Sequence, residues 1–375
     1  LSTLGPQRSN NGSAPAVAPL SFRAGAYASY NELIAADSAH SSEMSDQRHV
    51  DLGADLALNA FQQSRVGVDT YLNFVRMVQP SNATDVESAF NRDTVRAGAG
   101  VTWRPGGGLF DWRLGYEFTY NYFEKAAFSD LNNYQNTVNM RGRWRFLPRT
   151  AVLYDGSYTR ITYAKNIVAH DGDILRSRIG INGLITTRLS LLGLIGWAGT
   201  FYDQGSAKTP QQFDSVTGQA ELKWFLSGGG GDVMATAPVG LSYTSLGYTR
   251  DVSNSYLGNF YQRDRVYAGV SYLLGGMFVT SLDAGFSNIK FPASFFADGN
   301  QQHAGFSEQR VDARLFGEYR LSDIVGLNAT VNYDQNITKV RIATAELANG
   351  MPDPNNRDPL EFARWQVFLG VRLFW

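Results

Sequence analysis

The sequence predicts an all-β protein, a transmembrane antiparallel up-and-down β-barrel of about sixteen strands. Three observations lead to this class. Segments of about 12 to 16 residues alternate apolar and polar side chains, whereas strands of soluble proteins usually have five or six residues. Tryptophan, tyrosine and phenylalanine gather near the ends of these segments, as in the aromatic belts of membrane proteins. The final segment, 361–375, alternates almost without fault and ends on an aromatic residue.

Composition indicates one large domain. The chain has 375 residues, and no linker interrupts it after the Ser/Asn/Pro/Gly-rich start. We therefore expect a flexible N-terminal tail over 1–19 and a single transmembrane barrel over 20–375. The chain has no cysteine, which excludes disulfides, thiolate metal sites and thiol catalysis. Its net charge of −1 gives no global field that would attract nucleic acid.

Alternation in each segment predicts the strands one by one. They cover 20–34, 48–61, 65–78, 91–104, 110–124, 133–147, 149–164, 173–186, 188–203, 212–226, 239–251, 259–274, 277–290, 306–321, 324–338 and 361–375. The number is even, as in single-chain bacterial barrels. Short and long connections alternate along the chain, so we expect short turns on the periplasmic side and long loops outside.

The parity of each segment predicts which face meets lipid. In 110–124, Phe110, Trp112 and Leu114 alternate with Asp111 and Arg113. A soluble β-sandwich would turn the same apolar face inward, but the length of the strands favours the barrel. A barrel of this size is too wide for side chains to fill, and no insertion is large enough to plug it. A water-filled channel is therefore expected.

Charged residues on the polar parity are the candidate pore lining. Basic side chains outnumber acidic ones there, so we expect a modestly cationic lumen. The predicted pore-lining residues are Arg96, Arg113, Glu117, Arg141, Arg143, Arg145, Arg176, Arg178, Arg265, Arg310, Asp312, Arg314, Glu318, Arg364 and Arg372.

Arg141, Arg143 and Arg145 form a row of like charges on one strand. Two hypotheses explain the row. It could select anions in the channel, because fixed charge biases the local ion population. It could equally be a structural ladder that pairs with acids on neighbouring strands.

No enzyme site is predicted. The four histidines, His40, His49, His170 and His303, lack a neighbouring nucleophile or acid at a recognisable spacing. His170, Asp171 and Asp173 lack the distal glutamate of a calcium loop and are expected to form a plain turn. We therefore predict no catalytic residue, no metal site and no cofactor.

The predicted hairpin of the eighth and ninth strands carries a resemblance to a known family. It reads RIGINGLITTRLSLLGLIGW from Arg178 to Trp197 and continues to Phe201-Tyr202-Asp203. This hairpin resembles the beta-barrel porin type 2 family, some members of which are similar to barrels encoded with polysaccharide export machinery in myxobacteria. The resemblance implies passage of a secreted polysaccharide across the outer membrane, beside a periplasmic export partner. It assigns no role to individual residues.

Three functions stay open for the sequence. The first is an outer-membrane conduit for a secreted polysaccharide. The alternatives are a general-diffusion porin for small hydrophilic or anionic solutes, and a structural or adhesin barrel with a closed lumen. An inward position of the longest loop, 341–360, opposite the Arg141 strand would favour the porin. In each case we expect outer-membrane lipids as partners, the outer membrane of a Gram-negative bacterium as the location, and no nucleic acid.

Overall fold

The structure is a computed structural model that describes residues 19–31, 49–79, 90–124, 126–165, 170–203, 212–226, 242–255, 259–275, 277–295, 301–322, 324–343 and 357–373. Within these residues the strands are β1 Leu20–Asn31, β2 His49–Ala60, β3 Val66–Gln79, β4 Phe90–Trp103, β5 Phe110–Phe123, β6 Asn133–Leu147, β7 Thr150–Tyr163, β8 Gly172–Leu184, β9 Leu189–Tyr202, β10 Asp214–Phe225, β11 Tyr243–Ser255, β12 Asn259–Leu274, β13 Phe278–Phe291, β14 Ser294–Phe295, β15 Gln301–His303, β16 Phe306–Arg320, β17 Val325–Ile337, β18 Arg341–Ala343, β19 Arg357–Pro359 and β20 Phe362–Leu373. Two 3₁₀ helices, Pro105–Gly108 and Ala126–Leu131, flank β5.

One antiparallel sheet of 16 strands contains all the long strands. Its order follows the chain, β1 to β13, then β16, β17 and β20. The predicted all-β, up-and-down barrel class is therefore confirmed. The pairs β14–β15 and β18–β19, which were not predicted, form two small separate sheets in the long connections after β13 and β17. Within the described residues, no backbone ladder joins β1 to β20.

The two faces of the sheet differ as the parity predicts. On β3, Val66, Val68, Leu72 and Phe74 are exposed on one face. Large apolar side chains are likewise exposed at alternate positions along the other long strands. A soluble protein would bury such a surface, whereas lipid covers it in a membrane barrel. We call the opposite face the lumen face.

No helix among the residues described is long and apolar enough to cross a membrane.

Most predicted strand ends lie within two or three residues of the observed ones. The twelfth predicted strand, 259–274, and the sixth, 133–147, match β12 and β6. The eleventh prediction, 239–251, ends too early, because β11 continues to Ser255. The predicted N-terminal tail lies outside the described residues apart from Pro19, as does most of the 341–360 loop.

The wall has two ends. Most of the long connections leave at one end, which we call the long-loop end, and most short turns leave at the other. Two clusters of buried apolar side chains lie close to the long-loop end, mostly on β-strands. One contains Phe123, Leu131, Ile161 and Tyr163, and the other contains Ala198, Tyr202, Phe213, Val252 and Phe260. The barrel is therefore most tightly packed near this end of β5 to β12.

Candidate functional site

The lumen face carries the candidate site. The structure places all the predicted pore-lining residues on this face, opposite the exposed apolar side chains; they are Arg96, Arg113, Glu117, Arg141, Arg143, Arg145, Arg176, Arg178, Arg265, Arg310, Asp312, Arg314, Glu318, Arg364 and Arg372. On β5, for example, Leu114 and Tyr116 lie between Arg113 and Glu117 in the sequence and are exposed on the outer face. The role of this set in conduction stays a prediction, but its geometry can be described.

Arg113 joins three strands of the wall. Its Nε and Nη2 lie 3.0 and 2.6 Å from the two carboxylate oxygens of Asp69, and its Nη1 lies 2.8 Å from Oδ1 of Asn139. The Asp69 pair crosses from β5 over β4 to β3. Gly100 on β4 makes the crossing possible, because a Cβ atom there would overlap the guanidinium group. The two parallel contacts are the bidentate geometry that fixes an arginine most firmly.

Two tyrosines cross the wall in the same way. Each one extends over a glycine of the next strand to reach a glutamate two strands away. The contacts are Tyr71 to Glu117 over Gly98, and Tyr267 to Glu221 over Gly247. The side chains lie flat along the wall, so they brace it without filling the bore.

A further cluster lies on β12, β13 and β16. Arg265 contacts Asp283 at 2.6 Å and also pairs with Asp312, crossing over Gly285. Arg263 donates to the same Asp312 at 3.0 Å. Two arginines thus share two aspartates, which leaves this part of the wall close to neutral.

Asp334 on β17 holds two arginines. Arg310 on β16 pairs with both of its carboxylate oxygens, and Nη2 of Arg364 on β20 lies 3.5 Å away. The guanidinium carbons of Arg310 and Arg364 lie 5.6 and 5.8 Å from the ring centre of Phe362. An aromatic ring flanked by two cations therefore lies on the lumen face near the long-loop end.

Glu318 sits nearer the short-turn end of the same strands. It is buried, with Nη1 of Arg372 at 3.4 Å and Nε of Arg320 at 3.7 Å. A buried carboxylate needs such compensation. Arg372 and Arg320 supply the positive charge that offsets the burial of this glutamate.

The arginine row on β6 is only partly neutralised. Arg143 contacts Asp111 on β5 at 2.5 and 2.8 Å. Arg141 lies 3.8 Å from Asp155 on β7, and its side chain is 73% exposed. Among the described residues no acid is paired with Arg145. The ladder hypothesis is thus supported for Arg143, while selectivity by Arg141 and Arg145 stays a prediction.

One chain of charges continues from β6 to β11. Asp155 pairs with Arg178 at 2.5 Å, and Arg178 also lies 3.7 Å from Asp251. Asp251 in turn accepts from Arg176 at 2.9 Å. These pairs connect β7 and β8 to β11, although β9 and β10 lie between them in the sheet.

Sequence reasoning missed several residues of this site, among them Arg263, Tyr71, Tyr267 and Asp251. Arg263 shares the parity of Arg265 and could have been found from it. Tyr71 and Tyr267 lie on the lumen parity but were not considered, because charge was the criterion. The glycine opposite each one on the next strand is the signal that could have identified them. Asp251 was missed because the predicted strand ended there.

The energetic weight of the ion pairs is modest. Their side chains are partly exposed, and pairs of this kind contribute about 0–1 kcal/mol each. Their effect is therefore geometric rather than thermodynamic. They hold long side chains against the wall and fix where charge lies in the lumen.

Comparisons with known proteins bear on the fold. No protein-family model matches the chain. No curated protein matches it either. The chain is similar to two solved forms of the FrpB iron transporter from Neisseria meningitidis. The F3-3 variant has 10% identity and a TM-score of 0.51, with 93% of this chain and 61% of that chain covered. The F5-1 apoprotein has 10% identity and a TM-score of 0.50, with 90% and 58% covered.

A third solved structure is the alcaligin receptor FauA from Bordetella pertussis, with 12% identity, a TM-score of 0.46, and 94% of this chain and 60% of that chain covered. The chain thus spans less than two thirds of the length of these proteins.

The FrpB likeness and the exposed apolar face together establish the class. The chain has the fold of an outer-membrane β-barrel. The two FrpB structures are of an iron transporter rather than an enzyme. The resemblance to the beta-barrel porin type 2 family receives no support from these comparisons.

Proposed function

We propose that the chain is an outer-membrane channel for small hydrophilic solutes. The observation that carries the proposal is the division of the two faces: the outer face is apolar, while arginines, acids and polar side chains line the lumen face of strand after strand. A polar inner surface in a wide barrel holds water. Water then provides the path for a hydrophilic solute.

The charges of the wall support a path that is open to small solutes. The long side chains Arg113, Arg265 and Tyr71 lie along the wall in bonds to neighbouring strands rather than across the bore. Most cations have an acid beside them, so no continuous track of one sign repels solutes of that sign. The exposed Arg141 adds a modest preference for anions.

Reconstitution tests the proposal. Purified protein inserted into a planar bilayer should give discrete conductance steps that scale with salt concentration. Liposomes that contain the protein should swell in isotonic solutions of small sugars. Liposomes with heat-unfolded protein are the control. A folded barrel that gives neither steps nor swelling would refute the channel and favour the closed, structural barrel.

A conduit for a secreted polysaccharide is the second candidate. The ring of Phe362 between Arg310 and Arg364 favours it, because aromatic faces and guanidinium groups both stack on sugar rings. Such a conduit would act beside a periplasmic export partner. Polysaccharide added to the open channel should then block its current, and Phe362→Ala should weaken the block. A current that polymers leave unchanged would count against this candidate.

A further inference from the structure

The part of the β11–β12 hairpin nearest the long-loop end separates from the wall. The ladder between β10 and β11 ends at Gly218 and Arg250, although β10 continues to Asp214 beside β9. The ladder between β12 and β13 ends at Gln262 and Lys290. The β11–β12 ladder itself continues to Ser255 and Asn259. We call residues 251–255 and 259–261 the inner hairpin. Among the described residues, this part of β11 has no ladder to β10, and this part of β12 has none to β13. The two strands pair only with each other here.

Side-chain contacts show that the inner hairpin reaches across the lumen. Nδ2 of Asn254 lies 2.9 Å from the hydroxyl of Tyr163, which is on β7. Four strand spacings separate β11 from β7, about 19 Å along the wall. An asparagine and a tyrosine side chain together cannot bridge that distance, even with the curvature of a barrel. The hairpin must therefore leave the wall and approach β7 through the interior.

The burial of the hairpin side chains that have the outer-face parity also indicates that the hairpin lies inside the barrel. In the wall, Leu246 and Val266 lie on the outer face and are 59% and 51% exposed. Val252 and Phe260 have the same parity but are only 6% and 7% exposed. They pack in a buried cluster with Ala198, Tyr202 and Phe213, in which Ala198 and Tyr202 belong to the lumen face of β9. A face that would meet lipid can contact the lumen face of another strand only if the hairpin lies inside.

The inner hairpin is held firmly in this place. The ring of Phe260 lies 6.4 Å from that of Tyr202 in a stacked arrangement and 5.6 Å from that of Phe213. Asp251 at the base is held by Arg176 and Arg178 of β8. An apolar anchor and an ionic clamp thus fix the hairpin from two directions.

We infer that the inner hairpin is the constriction that sets the size limit of the channel. This inference rests on the proposed channel function and gives it a specificity-determining element. A fixed hairpin beside β7 to β9 leaves only part of the cross-section for solutes. The pore then passes small hydrophilic molecules and excludes larger ones. Asp251 contributes little net charge to the pore, because two arginines neutralise it.

Release of the hairpin tests the size limit. The double change Asp251→Asn with Phe260→Ala removes the clamp and the anchor. We expect the single-channel conductance to rise about twofold or more, since conductance follows the width of the narrowest part. Larger sugars should then enter liposomes. The matched control is Asp214→Asn with Phe286→Ala, which loses the same residue types from the outer face of the wall. It should leave the size limit unchanged.

Thiol labelling reads the position of the hairpin independently. The chain has no cysteine, so Ala198→Cys introduces a single thiol at a position with 0% exposure. A maleimide should react slowly with it in the otherwise unchanged protein and quickly after release of the hairpin. Gln366→Cys, on the lumen face of β20, should react at the same rate in both backgrounds. If the double variant fails to fold, Asp251→Asn with Phe260→Leu replaces it.

The outcomes separate the two proposals. Absence of conductance with a protected Ala198→Cys thiol would refute the channel but leave the inward position of the hairpin intact. A conducting barrel whose conductance and sugar limit do not change on release would refute the constriction. Rapid labelling of Ala198→Cys before release would refute the inward position and the constriction with it.

Discussion

At the scale of single residues, glycines decide which side chains can brace the wall. Gly98 lies under the ring of Tyr71, and a Cβ atom there would come within 2.5 Å of the ring. Gly98→Ala should therefore displace the tyrosine from Glu117. We expect a destabilisation of about 1–3 kcal/mol, the usual cost of overpacking. Thermal unfolding followed by the gel shift between folded and boiled protein measures it.

Gly193→Ala is the matched control for this change, because no atom lies within 4 Å of the position that its Cβ would occupy. It should leave the unfolding temperature nearly unchanged. Equal effects of the two substitutions would mean that Tyr71 does not lie over Gly98.

The arginine row on β6 gives a second prediction at this scale. Replacing Arg141, Arg143 and Arg145 together by glutamine should move the reversal potential under a salt gradient toward neutrality. The reason is that fixed charge acts within a Debye length, about 10 Å at 0.1 M salt. Arg141→Gln alone should shift the potential without loss of stability, because its side chain is mostly exposed.

Arg143→Gln should additionally lower stability, because it leaves Asp111 without its partner. A reversal potential that the triple change leaves in place would reduce the whole row to a ladder of the wall.

Much of this residue-level arrangement follows from parity, and the rest does not. Alternation alone places Arg113 and Glu117 on the lumen face. It says nothing about which acid each arginine reaches, because that depends on the register between strands far apart in sequence. Arg113 reaches Asp69 across β4, and only the structure brings those two residues together.

At the scale of elements, β20 offers a test of register. Leu369 lies on its outer face and is 82% exposed, while Gln366 lies on the lumen face. Leu369→Arg places a charge at the lipid-facing surface, at a cost of about 2–4 kcal/mol near mid-bilayer. Gln366→Arg should be much milder, because its side chain meets water. Folding yield and unfolding temperature in lipid measure both changes; equal damage would mean a slip by one residue.

The strand ends show what sequence can tell about an element. The sixth strand matched, because Asn133 to Leu147 alternates over most of its length and is followed by a proline. The predicted end of β11, at residue 251, was wrong. Its last residues, Asp251 to Ser255, are almost all polar and read as a loop, yet they continue the ladder with β12 inside the barrel. Alternation predicts a strand only where one face is apolar and the other polar, and the inner hairpin has lost that contrast.

At the scale of the whole molecule, the fold predicts a characteristic behaviour in detergent. Far-UV spectra should be dominated by β-structure, because the described chain consists almost entirely of strands. Folded and boiled samples should migrate differently on gels, since paired backbone groups resist detergent until heat separates them. A spectrum with substantial helix would contradict the fold.

The neighbour-to-neighbour order of the sheet has a consequence for how the chain acquires its structure. Every ladder of the main sheet joins two of its long strands that follow one another along the chain, so contacts between strands can form one pair at a time, with little loop-closure entropy. Any pairing of β1 with β20 would have the greatest sequence separation and would come at the end. Until then both edges can accept a foreign strand. The nascent barrel is therefore most vulnerable to misassembly, and most dependent on assistance, at its two outermost strands.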